Sequence, residues 1–203
     1  MKSAIAHEAL DRVPYLINFT RDAEPIIRKA YMRWPGVIDP GSRTDQIVCL
    51  TDLLATIAEI VGHDLPVSAA EDSVSLMPLF RGSGEAVRDH VVHHSIDGKF
   101  AIRDQKWKLV LCPGSGGWIT KDAEAASEGL PLAQLYDMES DPEEQHNLEL
   151  ERRDIVRDML GELQRIVAAG RSTPGENQLN DVEVDIWKLD TMPGVDAFVL
   201  DDY

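Results

Sequence analysis

Basic charge is scarce in this sequence. Twenty Lys and Arg stand against 36 Asp and Glu among 203 residues, a formal net charge of −16. Nothing basic is concentrated enough to replace the counterions of a nucleic-acid backbone, so nucleic acid is excluded as a partner. The same sign opposes docking on an anionic bilayer. Long apolar runs are also missing, so no membrane insertion is expected. The opening Met1-Lys2-Ser3-Ala4-Ile5-Ala6-His7-Glu8 holds no secretory core; as written the chain carries no export signal, and its compartment stays open. Cysteine is limited to Cys49 and Cys112, without C-x-x-C, so neither a metal spacing nor a disulfide follows. No internal repeat is visible.

What remains is ordinary globular material. With 43% hydrophobic and 28% charged residues, the chain has the composition of a folded protein. Its length suits one large domain or two small ones. Arg12-Val13-Pro14, Trp34-Pro35-Gly36 and Asp39-Pro40-Gly41 punctuate the first third as turns, and Thr20 to Ala30 is a candidate short helix. Gln46-Ile47-Val48-Cys49-Leu50 reads as a buried strand. Thr51-Asp52 then offers an N-cap and an acidic first turn, Leu53, Leu54, Ile57, Ile60 and Val61 recur at helical spacing, and Gly62 stands at C′. That is the pattern of the last βα unit of an α/β domain. Ser75 to Phe80 adds a turn or two of helix, and Arg81-Gly82-Ser83-Gly84 reads as a linker.

Beyond the linker the period changes. Val91 to Ser95 is a strand candidate, Asp97-Gly98 a turn, and Phe100 and Ile102 alternate with Ala101 and Arg103. Asp104-Gln105 turns the chain again, and Trp107, Leu109 and Leu111 alternate with Lys106, Lys108 and Val110. Gln134 to Met138 supplies a further strand, which predicts an antiparallel meander of three or four strands. Ile155, Met159, Leu163, Ile166 and Val167 form the apolar stripe of a helix over Arg152 to Ala169, closed by Gly170 and suited to cover that sheet. From Glu176 to Tyr203, eight acidic residues and one lysine give a net of −7, interrupted by apolar pairs such as Ile186-Trp187 and Phe198-Val199. A solvated, loosely packed tail is expected, the alternative being an arm whose apolar residues dock on a neighbouring domain or subunit.

Local chemistry is thin. His93 and His94 are neighbours on a strand, so their side chains point to opposite faces and cannot share one site in regular geometry. Cys112-Pro113-Gly114-Ser115-Gly116-Gly117 lacks the G-x-x-x-x-G-K-[ST] of a phosphate cradle, and Gly114-Ser115-Gly116 is not the G-x-S-x-G of a nucleophile elbow. It reads as a flexible loop. Arg171-Ser172-Thr173-Pro174-Gly175 reads as a polar turn and nothing more.

Taken in order, these pieces resemble a family. R-W-P-G-V-I-D-P-G from Arg33, C-L-T-D-L-L-A-T-I-A-E-I-V-G from Cys49 and E-D-S-V-S-L-M-P-L from Glu71 come first. V-V-H-H-S-I-D-G-K-F-A-I-R, W-K-L, L-Y-D-M, D-P-E-E-Q-H-N-L and G-R-S-T-P-G follow. The series is similar to the C-terminal portion of the sulfatases, the arylsulfatase-like hydrolases of sulfate esters. The resemblance implies an α/β fold of the alkaline-phosphatase-like sulfatase type, truncated. Residues 1–82 would end the large catalytic domain, with an atypical insertion at about 15–32. Residues 83–175 would form a small α+β domain, an antiparallel sheet with a packed C-terminal helix, and 176–203 an acidic tail.

The family's chemistry uses a formylglycine, made from a cysteine or serine in C/S-x-P-x-R, and a divalent cation, typically calcium. Neither Cys49 nor Cys112 stands in that motif, and the family's metal carboxylates have no counterpart here. No cofactor or metal ligand is therefore expected in this chain, and the chain is expected to be inactive without the N-terminal sulfatase region as partner. Lys2, ahead of Arg12-Val13-Pro14, matches the family's sulfate-contacting lysine, although Ala9-Leu10 occupy positions where the family has glycines. The resemblance places the strand residues His93, His94 and Arg103 beside a small-molecule or glycan sulfate ester, with one of the two histidines, either His93 or His94, contacting it. The competing expectation is a non-catalytic module binding a sulfated or acidic carbohydrate through His93, His94, Lys99 and Arg103.

Overall fold

The computed structural model describes residues 32–117 and 119–189. Lys2, the helix expected over Thr20–Ala30, the insertion apart from Met32, and the end of the acidic tail lie outside the described residues. Among the described residues the order is α1 (Asp52–Val61), α2 (Met77–Phe80), β1 (Val91–His94), β2 (Phe100–Arg103) and β3 (Trp107–Val110). α3 (Asp122–Ser127), β4 (Gln134–Asp137) and α4 (Arg153–Ala169) complete it.

Gln46–Leu50 forms no strand, against expectation. A strand needs a neighbour to satisfy its backbone, and among the described residues none lies beside this run; Val48 and Leu50 are exposed. The helix that follows does form. Thr51 does not cap it, its hydroxyl bonding instead to the Asp72 carbonyl. The Ser73 hydroxyl accepts the first-turn Ala55 N–H at 2.9 Å, while the Asp52 carboxylate accepts from the Cys49 N–H at 2.7 Å and the Val74 N–H at 3.1 Å and pairs with the buried Arg88 guanidinium. Thr56 accepts from the Leu76 N–H at 2.9 Å, so segment 71–77 packs on the polar side of α1. Gly62, at φ 67°, closes the helix in the left-handed conformation that glycine adopts without strain.

The sheet is a four-stranded antiparallel meander in the order β1-β2-β3-β4. Gly98 at φ 75° makes the first turn, and the Asp104 carboxylate makes the second by accepting from the Lys106 N–H at 2.7 Å. Period two decides the faces. Val92, Phe100, Ile102, Leu109 and Leu135 turn toward α4 and meet Val156, Met159, Leu163 and Ile166. Each such fully buried side chain contributes about 1.5–3 kcal/mol, and this is where the core sits.

The outer edge of β4 is closed by a side chain. Asn147 accepts the Leu135 N–H at 2.9 Å and donates to the Ala133 carbonyl at 3.2 Å, while its neighbour Leu148 donates to the Leu135 carbonyl. Beyond α4, Gly170 adopts φ 64° with the Gln178 carbonyl standing where a Cβ would lie, so the chain doubles back. The returning segment brings Ile186 and Trp187 into the sheet–helix core. These two residues therefore do not belong to a solvated tail. Apolar pairs inside an acidic stretch find the core because the left-handed turn at Gly170 aims them at it.

Arg171-Ser172-Thr173-Pro174-Gly175 is also more than a turn. Arg171 is buried and bonds the Thr173 and Glu176 carbonyls, each at 3.0 Å. Ser172 N–H reaches Asp72 at 2.9 Å and the Thr173 hydroxyl reaches the Glu71 carbonyl at 2.7 Å, tying the end of α4 to the segment beside α1.

Candidate functional site

The face of the sheet turned away from α4 carries the polar groups. Pairing sets His93 opposite Ala101, Ala101 opposite Val110, and Val110 opposite Gln134, with Lys108 opposite Tyr136. Ala101 and Val110 are short and their neighbours long, which hollows the face into a cup of about 330 Å³. Ser95, Lys99, Gly114, Ser115 and Glu144 complete its wall.

Its electrostatics are matched. Lys108 Nζ lies 2.7 Å from Glu144, and Lys99, almost fully buried, lies 2.9 Å from Asp122. The Tyr136 hydroxyl donates to Gln134 at 2.6 Å, and Gln134 donates to the Cys112 and Gly114 carbonyls at 2.6 and 2.8 Å. Burial, with Glu144 and Asp141 nearby, pushes the Tyr136 phenol up to about 12. The glycine-rich loop is the packed back wall of the cup. A Cβ on Gly114 would stand 2.6 Å from the Thr120 carbonyl, and one on Gly116 would stand 2.8 Å from Ser95 Cβ, so the flexible loop expected from composition is replaced by a close-fitted one.

The two histidines part as strand alternation requires. His93 lines the cup, and burial followed by the Lys108 charge lowers its imidazole below the ordinary value. His94 lies on the other side, edge-on to the Phe100 ring at 4.1 Å. Arg103 shares the His93 face without lining the cup, and Lys99 is committed to Asp122. The structure therefore does not bring His93, His94, Lys99 and Arg103 together. Lys108, Gln134, Tyr136 and Glu144 escaped the sequence reading. Alternation within W-K-L-V and Q-L-Y-D placed the first three on the Ala101 face, but nothing local ties Glu144, on its own turn at φ 58°, to Lys108.

Among the described residues no three His, Cys, Asp or Glu side chains come together as a cation site. Cys112 is buried beside Asp122, its thiol pushed up to about 12, mainly by burial, which is the opposite of an activated sulfur. These residues do not fit a calcium or a formylglycine. Nor is any helix among them long and apolar enough to cross a membrane.

No family model matches the chain. An ulvan-active sulfatase of Formosa agariphila is 32% identical over 139 residues, 57% of this chain and 27% of the relative. An N-acetylgalactosamine-6-O-sulfatase of Bacteroides thetaiotaomicron is 26% identical over 157 residues, 76% of this chain and 27% of that protein. The chain is thus similar to the C-terminal portion of the sulfatases. Rat steryl-sulfatase matches at 26% over 179 residues, 77% of this chain and 31% of its own. This chain thus spans about a quarter to a third of the length of these three relatives. Among solved structures, a B. thetaiotaomicron protein from a locus for metabolism of multiple glycosaminoglycans superposes with a TM-score of 0.54. It shares 24% identity and covers 68% of this chain and 28% of that one. A protein solved with a neocarrahexaose gives 0.52 at 22% identity, covering 84% and 34%. The fold is the alkaline-phosphatase-like sulfatase fold, represented by the small sheet, its helix and the helical unit before them.

Proposed function

We propose that this chain forms part of a sulfate ester hydrolase and is inactive by itself. The formylglycine and the divalent cation would be held by the larger share of the enzyme. The observation that carries the reading is the outward face of α1. Leu50, Leu54, Ile57 and Val61 follow one another at helical spacing and are 60%, 50%, 54% and 67% exposed, an apolar stripe with no partner among the described residues. It fits a helix meant to lie on the sheet of a large α/β domain. In this reading residues 1–82 end that domain, and 83–175 form the small one, completed by the returning segment that carries Ile186 and Trp187. His93, with Arg103 near it, would contact the substrate from the small-domain side, and Lys2 would reach the sulfate.

The substrate class follows the relatives of bacterial origin. One is named for ulvan and another for an N-acetylgalactosamine 6-O-sulfate, which favours a sulfated glycan. A free-standing module for acidic carbohydrate is the weaker reading, because Lys99 is neutralised by Asp122 and the histidines face apart.

The test is complementation. Sulfate release from ulvan oligosaccharides, followed by ion chromatography with calcium present, should be nil for the chain alone. It should appear on co-expression with a sulfatase body that carries C/S-x-P-x-R but lacks its own C-terminal quarter. Turnover by the chain alone, or failure to bind and restore any such body, would overturn the reading.

A further inference from the structure

The cup on the open sheet face has the makings of a specific pocket. Its volume of about 330 Å³ falls at the lower end of small-molecule sites. The floor, Ala101 beside Val110, is apolar and flat enough for one face of a ring. Hydroxyls of Ser95 and Ser115 and the imidazole of His93 stand around it. The Lys108 ammonium and the Glu144 carboxylate, 2.7 Å apart, set a donor and an acceptor side by side.

Charge decides what kind of ring fits. The two lysines in the wall are balanced by Glu144 and Asp122, and His93 is held toward its neutral form. In a chain of net charge −16, a cup with no excess of cations gives no attraction to an anion. An apolar floor under a rim of paired donors and acceptors matches a pyranose, whose C–H face is apolar and whose hydroxyls radiate from its edge. Adjacent hydroxyls could bridge Lys108 and Glu144. We propose that this cup binds an uncharged pyranose ring. Its role rests on the sulfatase reading, in which that ring is an unsulfated neighbour of the sugar bearing the ester.

Titration of the isotope-labelled chain with methyl galactopyranoside and lactose, beside galactose 6-sulfate and glucuronate, tests this. Saturable shifts of the Ser95, Ala101, Val110 and Gly114 amides are expected with the neutral sugars, equally at low and high salt. Ala101→Leu raises the floor and should weaken binding by about tenfold or more. Lys108→Met removes one rim donor and should weaken it by about threefold or more. His94→Ala, on the opposite face, should leave it unchanged. If Ala101→Leu does not fold, Lys108→Met and the sugar series still decide.

No shift at these amides under saturating millimolar sugar, or a preference for the anionic sugars that salt abolishes, would overturn the proposal. Sugar binding without complementation would sink the sulfatase reading and spare this one. Complementation without neutral-sugar binding would sink this one alone.

Discussion

His93 and His94 share a side chain and differ only in the face they occupy. The first looks into a half-enclosed polar cup, the second lies on an aromatic ring. Burial first, then the Lys108 ammonium, hold the His93 imidazole below its ordinary 6.5; Glu144 opposes them, and Arg103 and His94 add to the lowering. The unfolded chain thus takes up a proton at a pH where the folded chain does not. The stability gained by keeping His93 neutral is full above 6.5 and is lost as pH falls through the lowered folded value. His94, lowered by burial and by Lys188, acts with the same sign. Carboxylates with lowered values act only further into acid: Asp141 through the Gln145 and His146 N–H groups, Glu162 through Arg165. His93→Gln should therefore flatten the fall in urea midpoint just below pH 6.5 and leave the deeper acid limb intact. An unchanged upper limb would mean that His93 is solvated.

Elements differ in how far the sequence announces them. The strands of both hairpins, α1 and α4 were legible because their cues are local: period two around Asp97-Gly98 and Asp104-Gln105, and glycine at 62 and 170. Alternation also separated the two histidines, but which one meets the cup depends on which face α4 covers, and that is a packing fact. Gln46–Leu50 misled because a strand is completed by its neighbour. Ile186 and Trp187 misled because their acidic surroundings hide a return path set at Gly170. Asn147 was visible only as a letter in D-P-E-E-Q-H-N-L, and its use is structural. It satisfies a donor and an acceptor on the buried edge of β4 that no fifth strand among the described residues covers. Asn147→Ala should leave the Leu135 N–H and one acceptor on the Ala133 carbonyl without that partner and destabilise the sheet by about 1–3 kcal/mol. Denaturant melts would read this as a lower midpoint at unchanged slope. Asn147→Asp should recover part of it, since a carboxylate still accepts from Leu135. Equal loss in both variants would point to packing instead.

At the scale of the molecule, two apolar surfaces meet different fates. The sheet–helix core is closed by α4 and by Ile186 and Trp187, whereas the stripe Leu50, Leu54, Ile57 and Val61 has no partner among the described residues. The stripe is not a weakness of α1 itself, because the opposite side of that helix is fastened by Asp52, Thr56 and Ser73 to segment 71–77 and by Arg88 to the start of the sheet. Removing its apolar character should thus cost the fold little and change association greatly. Leu54→Glu with Ile57→Glu replaces two half-exposed side chains at the centre of the stripe. The thermal midpoint should stay within about 2 °C of the parent, as for surface changes generally. The parent should self-associate with rising concentration and bind an apolar dye, while the double variant should run as a monomer and bind little. In the complementation assay the double variant should restore no sulfate release, although its cup is untouched. A parent that is already a dye-silent monomer, or a double variant that complements fully, would show that the stripe docks on nothing.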